Sequence, residues 1–283
     1  MVLAIATNNA ALNAAASASS VNRDMEISMA RLSSGKRINS ASDDAAGVAI
    51  SSRMSAEIRG TDQAIRNALD GQALIDTAEG AHIEIENILQ RMREIAVQGA
   101  NDTNNTQDRS NLDVEFIALE TEIDRIVDTT TWAGSKLMEA TAATSFSFQV
   151  GSSTGTQNQI IVNMESMTVS ALIDGVTDAI AGDPDIDTQD GWLNDLHVLD
   201  HAIEKVNIQR SKLGAVSNRL NHTVNNLTNI SSNLSAAKGG IEDADFALET
   251  TNLAKNQILQ QASTAMLAQA NASKQNVLSL LQG

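Results

Sequence analysis

The sequence predicts a mainly α-helical protein: a long antiparallel helical bundle or coiled-coil rod with a small β-hairpin region and paired N- and C-terminal helices. In the second half of the chain, bulky aliphatic residues recur at every seventh position. In the first half, apolar residues recur at alternating spacings of three and four. Aromatic residues make up only 2% of the chain, so aliphatic side chains along helices must form the core.

The N-terminal segment predicts a helix that packs through small side chains. Small or apolar residues recur at helical spacing from Ala4 to Leu32. Small side chains let a second helix approach closely but bury little area, so we expect this helix to be weak by itself. The residues that we expect to pack on this face are Ala11, Ala14, Ala18, Val21, Met25 and Leu32.

Two antiparallel helices are predicted in the rest of the first half. One carries an apolar stripe from Ile75 to Ala96, and the other carries a stripe from Leu112 to Ile126. A helical run is also expected to start near Ala45. Between them, residues 101–111 are polar and predict a turn. The bundle core predicted from these helices consists of Ile85, Leu89, Met92, Leu112, Phe116, Leu119 and Ile123.

The composition changes between Thr129 and Gly191 and predicts a β-hairpin near residues 145–163. Two segments with strand-like alternation flank a loop rich in Ser, Thr and Gly at residues 151–158. The only proline, Pro184, lies in a second turn region that precedes a long helix. The segment is too short to hold both a hairpin and a further compact domain, so no additional domain is expected.

The long helix is predicted to begin near Trp192 and to carry the seven-residue repeat. If it were helical throughout, the repeat would extend roughly 75 Å at about 1.5 Å per residue. The positions three to four residues away from the repeat are partly polar, which favours a bundle over a two-stranded coiled coil. The repeat consists of Leu199, Val206, Leu213, Leu220, Leu227, Leu234, Ile241 and Leu248, of which Leu213, Leu220, Leu227 and Leu234 are predicted core residues.

The final segment, from Phe246 onwards, is amphipathic and rich in Ala, Gln and Asn. Because both ends of the chain bury little area alone, we expect them to be disordered in the free monomer and to fold against neighbouring copies. The residues that we expect to pack in this segment are Ile258, Leu259, Met266, Leu267, Val277, Leu280 and Leu281.

Composition argues against several functions. The net charge of -16 disfavours a nucleic-acid partner, and the lack of cysteine excludes thiol catalysis and cysteine metal sites. No apolar run is long enough to insert into a membrane, and the N-terminus lacks the features of a cleaved signal peptide. His197 and His201 are four residues apart but lack the glutamate of a metalloprotease motif. We expect no enzyme activity, no cofactor and no catalytic or metal residues.

Several long motifs resemble the terminal regions of bacterial flagellin, and they occur in the order found in that family. Together they cover much of the chain, which makes the resemblance specific. The motifs are LSSGKRINSASDDAAGVAISSRM (residues 32–54), LQRMREIAVQGAND (89–102), EIDRI (122–126), RSKLGAVSNRL (210–220), IEDADFALETTNLAKNQILQQASTAMLAQAN (241–271) and NVLSLLQG (276–283).

The resemblance implies a minimal flagellin, a structural subunit that self-polymerises into the extracellular flagellar filament for swimming motility. In such a protein, residues 1–42 and 240–283 would form the inner-tube terminal helices, and residues 43–239 the outer-tube bundle. The subunit would be secreted, exported unfolded by the flagellar type III apparatus. The alternative is a hook–filament junction protein of the same superfamily, which shares the end helices but forms only a thin ring.

The resemblance also implies partners: an export chaperone, the filament cap and hook-associated proteins. Arg91, Ile95 and Glu115 match positions at which some flagellins contact the vertebrate Toll-like receptor for flagellin. The alternative is that these residues pack between subunits. The hairpin loop is a candidate for O-glycosylation, with a plain exposed turn as the alternative; its candidate acceptors are Ser152, Ser153, Thr154 and Thr156.

Overall fold

The computed structural model describes residues 7–138, 144–173 and 189–282, with side chains described as far as residue 273. It confirms the predicted mainly α-helical fold class. The helices are α1 (Asn9–Ser34), α2 (Ala45–Gly99), α3 (Thr106–Thr129), α4 (Val169–Ile173), α5 (Gln189–Glu242) and α6 (Phe246–Gln282). The strands are β1 (Thr131–Trp132), β2 (Ser135–Lys136), β3 (Thr144–Gln149) and β4 (Gln159–Met164).

The chain forms two compact units. The terminal unit consists of Met1–Ile58 and Asn233–Gly283, and the central unit consists of Arg59–Ser232.

In the terminal unit, α1 and α6 pack against each other in antiparallel orientation. The side chain of Asn8 donates to the carbonyl of Ala270 at 3.1 Å, and the side chain of Gln260 donates to Asn22 at 2.8 Å. The start of α1 therefore lies beside the later part of α6, and the end of α1 lies towards the start of α6. The predicted pairing of the N- and C-terminal helices is confirmed.

The seven-residue repeat is interrupted between α5 and α6, so it does not follow one helix to its end. α5 stops at Glu242, and the side chain of Asp245 then accepts hydrogen bonds from the N–H groups of Ala247 and Leu248, which starts a new helix. The N–H of Ala244 donates to the carbonyl of Gly35 at 3.0 Å. Leu248, the last member of the repeat, is 60% exposed.

In the central unit, α2 and α5 run antiparallel beside α3 and enclose the main hydrophobic core. A Cβ atom added to Gly71 would lie 3.4 Å from Leu220, and one added to Gly99 would lie 2.4 Å from Trp192. Of the residues predicted for the core, Leu112 and Leu119 are half-buried in this unit, and Leu234 is half-buried in the terminal unit. Those that are buried are Ile85, Leu89, Met92, Phe116, Ile123, Leu213, Leu220 and Leu227.

The turn between α2 and α3 is shorter than the polar composition predicts. The side chain of Asn105 accepts a hydrogen bond from the N–H of Asp108 at 2.9 Å, and the side chain of Asp108 accepts one from the N–H of Asn105 at 3.3 Å. This reciprocal capping box starts the helix at Thr106, so residues 106–111 are helical although they are polar.

The predicted β-hairpin is present. β3 and β4 pair antiparallel, with Phe146 opposite Val162, and β4 alternates exposed and buried residues along its length. The structure adds elements that were not predicted: α4, and a tight β1–β2 hairpin whose turn residues Ala133 and Gly134 have positive φ angles. The predicted turn around Pro184 lies outside the described residues.

Candidate assembly surface

The described side chains that the contact between α1 and α6 buries fully are small or polar, whereas larger apolar ones such as Met25, Leu32 and Leu267 are half-buried. On α1 the buried residues are Ala14 and Ser28. On the part of α6 whose side chains the structure describes, the buried residues are Glu249 and Ser263, both polar. Because small and polar side chains gain little from leaving water, this contact contributes little hydrophobic stabilisation to the terminal unit.

An ion pair at one end of this contact satisfies its most deeply buried charge. The guanidinium of Arg31 lies 3.2 Å from the carboxylate of Glu249, which is 5% exposed. The side chain of Asn252 donates a second hydrogen bond to that carboxylate at 3.1 Å. A buried carboxylate needs such partners, so the geometry aligns α1 and α6 rather than adding much net stability.

Large apolar side chains of the terminal unit instead face solvent. Ile258 is 67% exposed and Met266 is 56% exposed. With about 100° per residue, the exposed large residues of α6 except Phe246 lie within an arc of about 100°. Large apolar side chains that are exposed together on one side of a helix mark a site of protein association. We call the set the assembly face; it consists of Leu12, Ile27 and Met29 on α1 and Phe246, Leu248, Ile258, Leu259 and Met266 on α6.

The structure separates the residues that were predicted to pack at the two ends of the chain. The α1 set lies towards α6, where Ala14 is buried and Ala11, Ala18, Val21, Met25 and Leu32 are half-buried. On α6, Leu267 is half-buried, whereas Ile258, Leu259 and Met266 belong to the exposed assembly face. The side chains of Val277, Leu280 and Leu281 lie outside the described part of the chain.

The packing residues predicted from the sequence include none of the α1 members of the assembly face. On α6 they include neither Phe246 nor Leu248. The regular spacing of residues in α1 predicts only its small-residue face. Leu12 and Ile27 lie on the other side of the helix, where a large apolar residue with no place in the small-residue pattern is itself a signal of a second contact.

A second exposed site joins α2 and α3. Arg91 donates to Glu115 at 2.8 and 3.0 Å and to Glu94 at 2.9 Å. Hydrogen bonding to Glu115, and then to Glu94, raises the pKa of Arg91. Ile95 is 0% exposed and lies in the core, so of the three receptor candidates only Arg91 and Glu115 present their side chains to solvent.

The loop of the β3–β4 hairpin presents its hydroxyl groups to solvent. The side chain of Asn158 donates to the carbonyl of Ser153 at 3.0 Å, and the N–H of Val150 donates to the carbonyl of Asn158 at 2.7 Å. These bonds hold the loop in a defined shape. The candidate acceptors Ser152, Ser153, Thr154 and Thr156 are all exposed.

The described residues also bear on other functions. They contain no group of three or more His, Cys, Asp or Glu side chains placed to hold a metal ion. None of their helices combines the length and apolar character needed to cross a lipid bilayer.

Comparison with known proteins identifies the family. The model of the bacterial flagellin N-terminal helical region matches residues 5–143, and the model of the C-terminal helical region matches residues 196–281. The chain is 47% identical to a flagellin of Halalkalibacterium halodurans, over 90% of each chain. It is 46% identical to a flagellin of Bacillus subtilis, over 97% of this chain and 98% of that one.

A solved structure of a putative flagellar hook-associated protein from Vibrio parahaemolyticus shares the fold. It covers 71% of this chain and 100% of its own, with a TM-score of 0.59 and 17% sequence identity. At that identity the likeness concerns the fold alone and does not favour the hook–filament junction alternative. Flagellins are structural proteins rather than enzymes, and the match spans nearly the whole chain. The chain therefore belongs to the bacterial flagellin family and is a structural subunit of the flagellar filament.

Proposed function

We propose that the assembly face packs against other copies of the chain when the filament forms. On this proposal residues 1–42 and 240–283 form the inner tube of the filament, and residues 43–239 form the outer tube. The observation that carries the proposal is the distribution of side chains in the terminal unit. The described side chains that its internal contact buries fully are small or polar, whereas Ile258 and Met266 are exposed.

The energetics favour folding that is coupled to assembly. Burying one large aliphatic side chain contributes about 1.5–3 kcal/mol, and ordering one backbone residue costs about 1–2 kcal/mol. Since the described side chains that the α1–α6 contact buries fully are small or polar, and Ile258 and Met266 stay exposed, we infer that the pair is weakly stable in the free monomer and gains its stability from neighbouring copies. Proton NMR of the monomer should then show sharp, poorly dispersed signals from both ends; full dispersion would refute this inference.

Substitutions on the assembly face test the proposal directly. The full chain carrying Ile258→Gln and Met266→Gln should keep the fold of the central unit but lose polymerisation, because glutamine gains little from burial. Light scattering and electron microscopy measure assembly, and circular dichroism checks the fold. Ile161→Gln, at an exposed apolar residue of β4, is the matched control. Polymerisation of the double variant at the parent's critical concentration would contradict the proposal.

A truncation gives an independent test. Removing residues 258–283 deletes about the last two thirds of α6, including Ile258, Leu259 and Met266. The central unit contains none of these residues, so it should stay folded while filament formation is abolished. Filaments of this truncated chain in electron micrographs would count against the assembly face.

We also propose secretion by the flagellar type III apparatus, in an unfolded state, with an export chaperone, the filament cap and hook-associated proteins as partners. Family membership supports this route. A chain with no cysteine and one proline meets few slow folding steps once it leaves the channel. Cells with an inactive flagellar export gate should retain the protein; secretion from such cells would contradict the route.

For the exposed Arg91–Glu115 pair we propose recognition by the vertebrate Toll-like receptor for flagellin. The support is the family resemblance together with the exposure of both side chains. Ile95, in the same part of α2, is buried in the core. A Glu115→Ala monomer should signal more weakly than the parent in a reporter-cell assay, and the control Glu122→Ala, in the same helix and paired with Arg125, should signal normally. Equal signalling by Glu115→Ala would argue against this epitope.

For the β3–β4 loop we propose O-glycosylation in the native host. The loop is exposed and carries the hydroxyl groups of Ser152, Ser153, Thr154 and Thr156. The intact mass of protein taken from native filaments should exceed the mass calculated from the sequence. A mass equal to the sequence mass would remove this proposal.

A further inference from the structure

Two buried polar side chains in the central unit each have an atom without a hydrogen-bond partner among the described residues. His82 on α2 and Gln209 on α5 are both 0% exposed. The unpartnered atoms are Nε2 of His82 and Oε1 of Gln209. Buried polar atoms in folded proteins are nearly always hydrogen-bonded, so we expect each of these two atoms to have a hydrogen-bond partner.

The two side chains lie at the same level of the bundle. α2 and α5 run antiparallel, with Gly71 beside Leu220. Eleven residues onward from Gly71 is His82, and eleven residues back from Leu220 is Gln209.

A surface ion pair gives the same register. Arg210, the neighbour of Gln209, donates to Glu79 at 2.8 Å and also bonds Glu86. These glutamates lie about one helical turn before and after His82. Since His82 and Gln209 are both fully buried at one level, both side chains point into the core between α2 and α5.

Hydrogen-bond geometry makes both unpartnered atoms acceptors. Nδ1 of His82 lies 2.5 Å from the carbonyl oxygen of Ala78, which can only accept, so Nδ1 carries the proton and Nε2 carries a lone pair. Burial lowers the pKa of His82, which keeps the ring neutral. The side-chain N–H of Gln209 donates to the carbonyl of Asn163 at 2.9 Å, so its Oε1 is the remaining acceptor.

Two acceptors cannot bond to each other, whereas a water molecule has two O–H donors. We propose that one ordered water molecule lies between His82 and Gln209 and donates a hydrogen bond to each. Because Gln209 also bonds Asn163 on β4, this water site joins α2, α5 and the hairpin through one polar layer in an otherwise aliphatic core.

NMR of the full-chain monomer labelled with ¹⁵N at histidine tests the site without altering it. The chain has four histidines, and loss of one set of signals in His82→Leu assigns the ring. The expected result is a neutral ring protonated at Nδ1, with a rotating-frame cross-peak between a long-lived water and the His82 ring proton. A ring protonated at Nε2 would overturn the proposal, because it could donate directly to Gln209; a missing water cross-peak would overturn it too.

A double-mutant cycle tests the coupling between the two side chains. His82→Leu should lower the midpoint of thermal unfolding by several degrees in the parent, because the Gln209 acceptor loses its water-mediated link. In a Gln209→Leu background the same substitution should cost much less, because that acceptor is already gone. Ile85→Val, at a buried neighbour, is the control and should lower the midpoint equally in both backgrounds. Equal losses from His82→Leu in both backgrounds would overturn the link.

Discussion

Asp195 is a buried carboxyl group in an acidic environment between α5 and α3. It is 4% exposed, and burial raises its pKa to about 6, with a further contribution from the negative charge of Asp113. The pKa of Glu120 on α3 is also raised, first by burial and then by Asp195, Asp113 and Asp124. The folded state therefore favours the neutral form of Asp195, and its ionisation works against folding.

We predict that Asp195→Asn stabilises the protein at neutral pH. The pKa of Asp195 in the fold lies above the ordinary value of 3.8, so its favourable contribution is fully present below pH 3.8 and is lost as the pH rises through about 6. At a pH of about 7.5, the free energy of unfolding of the variant should be about 1–3 kcal/mol higher than that of the parent.

Urea unfolding at two pH values measures this effect. The gain from Asp195→Asn should shrink at a pH of about 4, where the parent carboxyl is already protonated in the fold. The exposed Asp76→Asn is the control, since its side chain stays in water. An equal gain at both pH values would show that the charge of Asp195 is not the cause.

Gly99 is required because its backbone touches an aromatic ring. An added Cβ would lie 2.4 Å from Trp192, which is 0% exposed and packs edge-on against Phe116. The side chain of Arg109 also donates to the Gly99 carbonyl at 3.1 Å, which holds the end of α2 in place. The backbone therefore has little freedom to move away from the ring.

We predict that Gly99→Ala destabilises the central unit by about 1–3 kcal/mol, the usual cost of overpacking a core. Gly80→Ala in the same helix is a matched control with the opposite sign, since no atom of the described residues lies within 4 Å of the added methyl group. It should stabilise the helix by about 0.5–1 kcal/mol. Thermal unfolding followed by circular dichroism compares the two variants, and similar effects from both would refute the role of Trp192.

At the level of helices, the start of α3 depends on its N-cap side chain, that of Asn105. Without the capping box, residues 106–111 have few apolar contacts to hold them helical. We predict that Asn105→Ala lowers the free energy of unfolding by about 1 kcal/mol and frays the first turn of α3. Hydrogen exchange of the amides at residues 106–109 should become faster.

The control for this substitution is Asn111→Ala, an exposed position inside the same helix, where alanine favours the helix. If Asn111→Ala accelerated exchange of the first turn as much as Asn105→Ala, the effect would come from composition and not from capping.

For the chain as a whole, charge opposes assembly while the apolar surface drives it. Each copy carries a net charge of -16, so approaching copies repel each other. Salt screens this repulsion within about 10 Å at 0.1 M. The hydrophobic contribution of the assembly face is not weakened by such screening, and sulfate strengthens it.

We predict that the critical concentration for polymerisation falls when sodium chloride is raised from about 20 to about 200 mM, and falls further with sulfate. Sedimentation of polymer at a series of salt concentrations measures it. The Ile258→Gln, Met266→Gln variant should not assemble in sodium chloride, since screening cannot replace the lost apolar contacts. A critical concentration that rises with salt would mean that attractive ion pairs, and not apolar burial, drive assembly.

The helical fold class, the long apolar stripes of the bundle and the β3–β4 hairpin were predictable from the sequence. Periodicity reveals which face of a helix is buried, and alternation flanking a Gly-rich loop reveals a hairpin. The burial of Leu213 and Leu220 follows from the repeat alone. The small-residue face of α1 was likewise evident from spacing, because composition determines how closely two helices can approach.

Periodicity shows which face of a helix is buried but not which element packs against that face. In this protein, long-range contacts decide which element does so. At the break after Glu242 the N–H of Ala244 donates to the carbonyl of Gly35, which is far away in sequence. The pairing of α1 with the polar side of α6 leaves Ile258 exposed, and the register of α2 against α5 brings His82 level with Gln209. Local sequence specifies a helix and its faces, whereas antiparallel pairing and axial register are settled by contacts between residues that the chain brings together only when it folds.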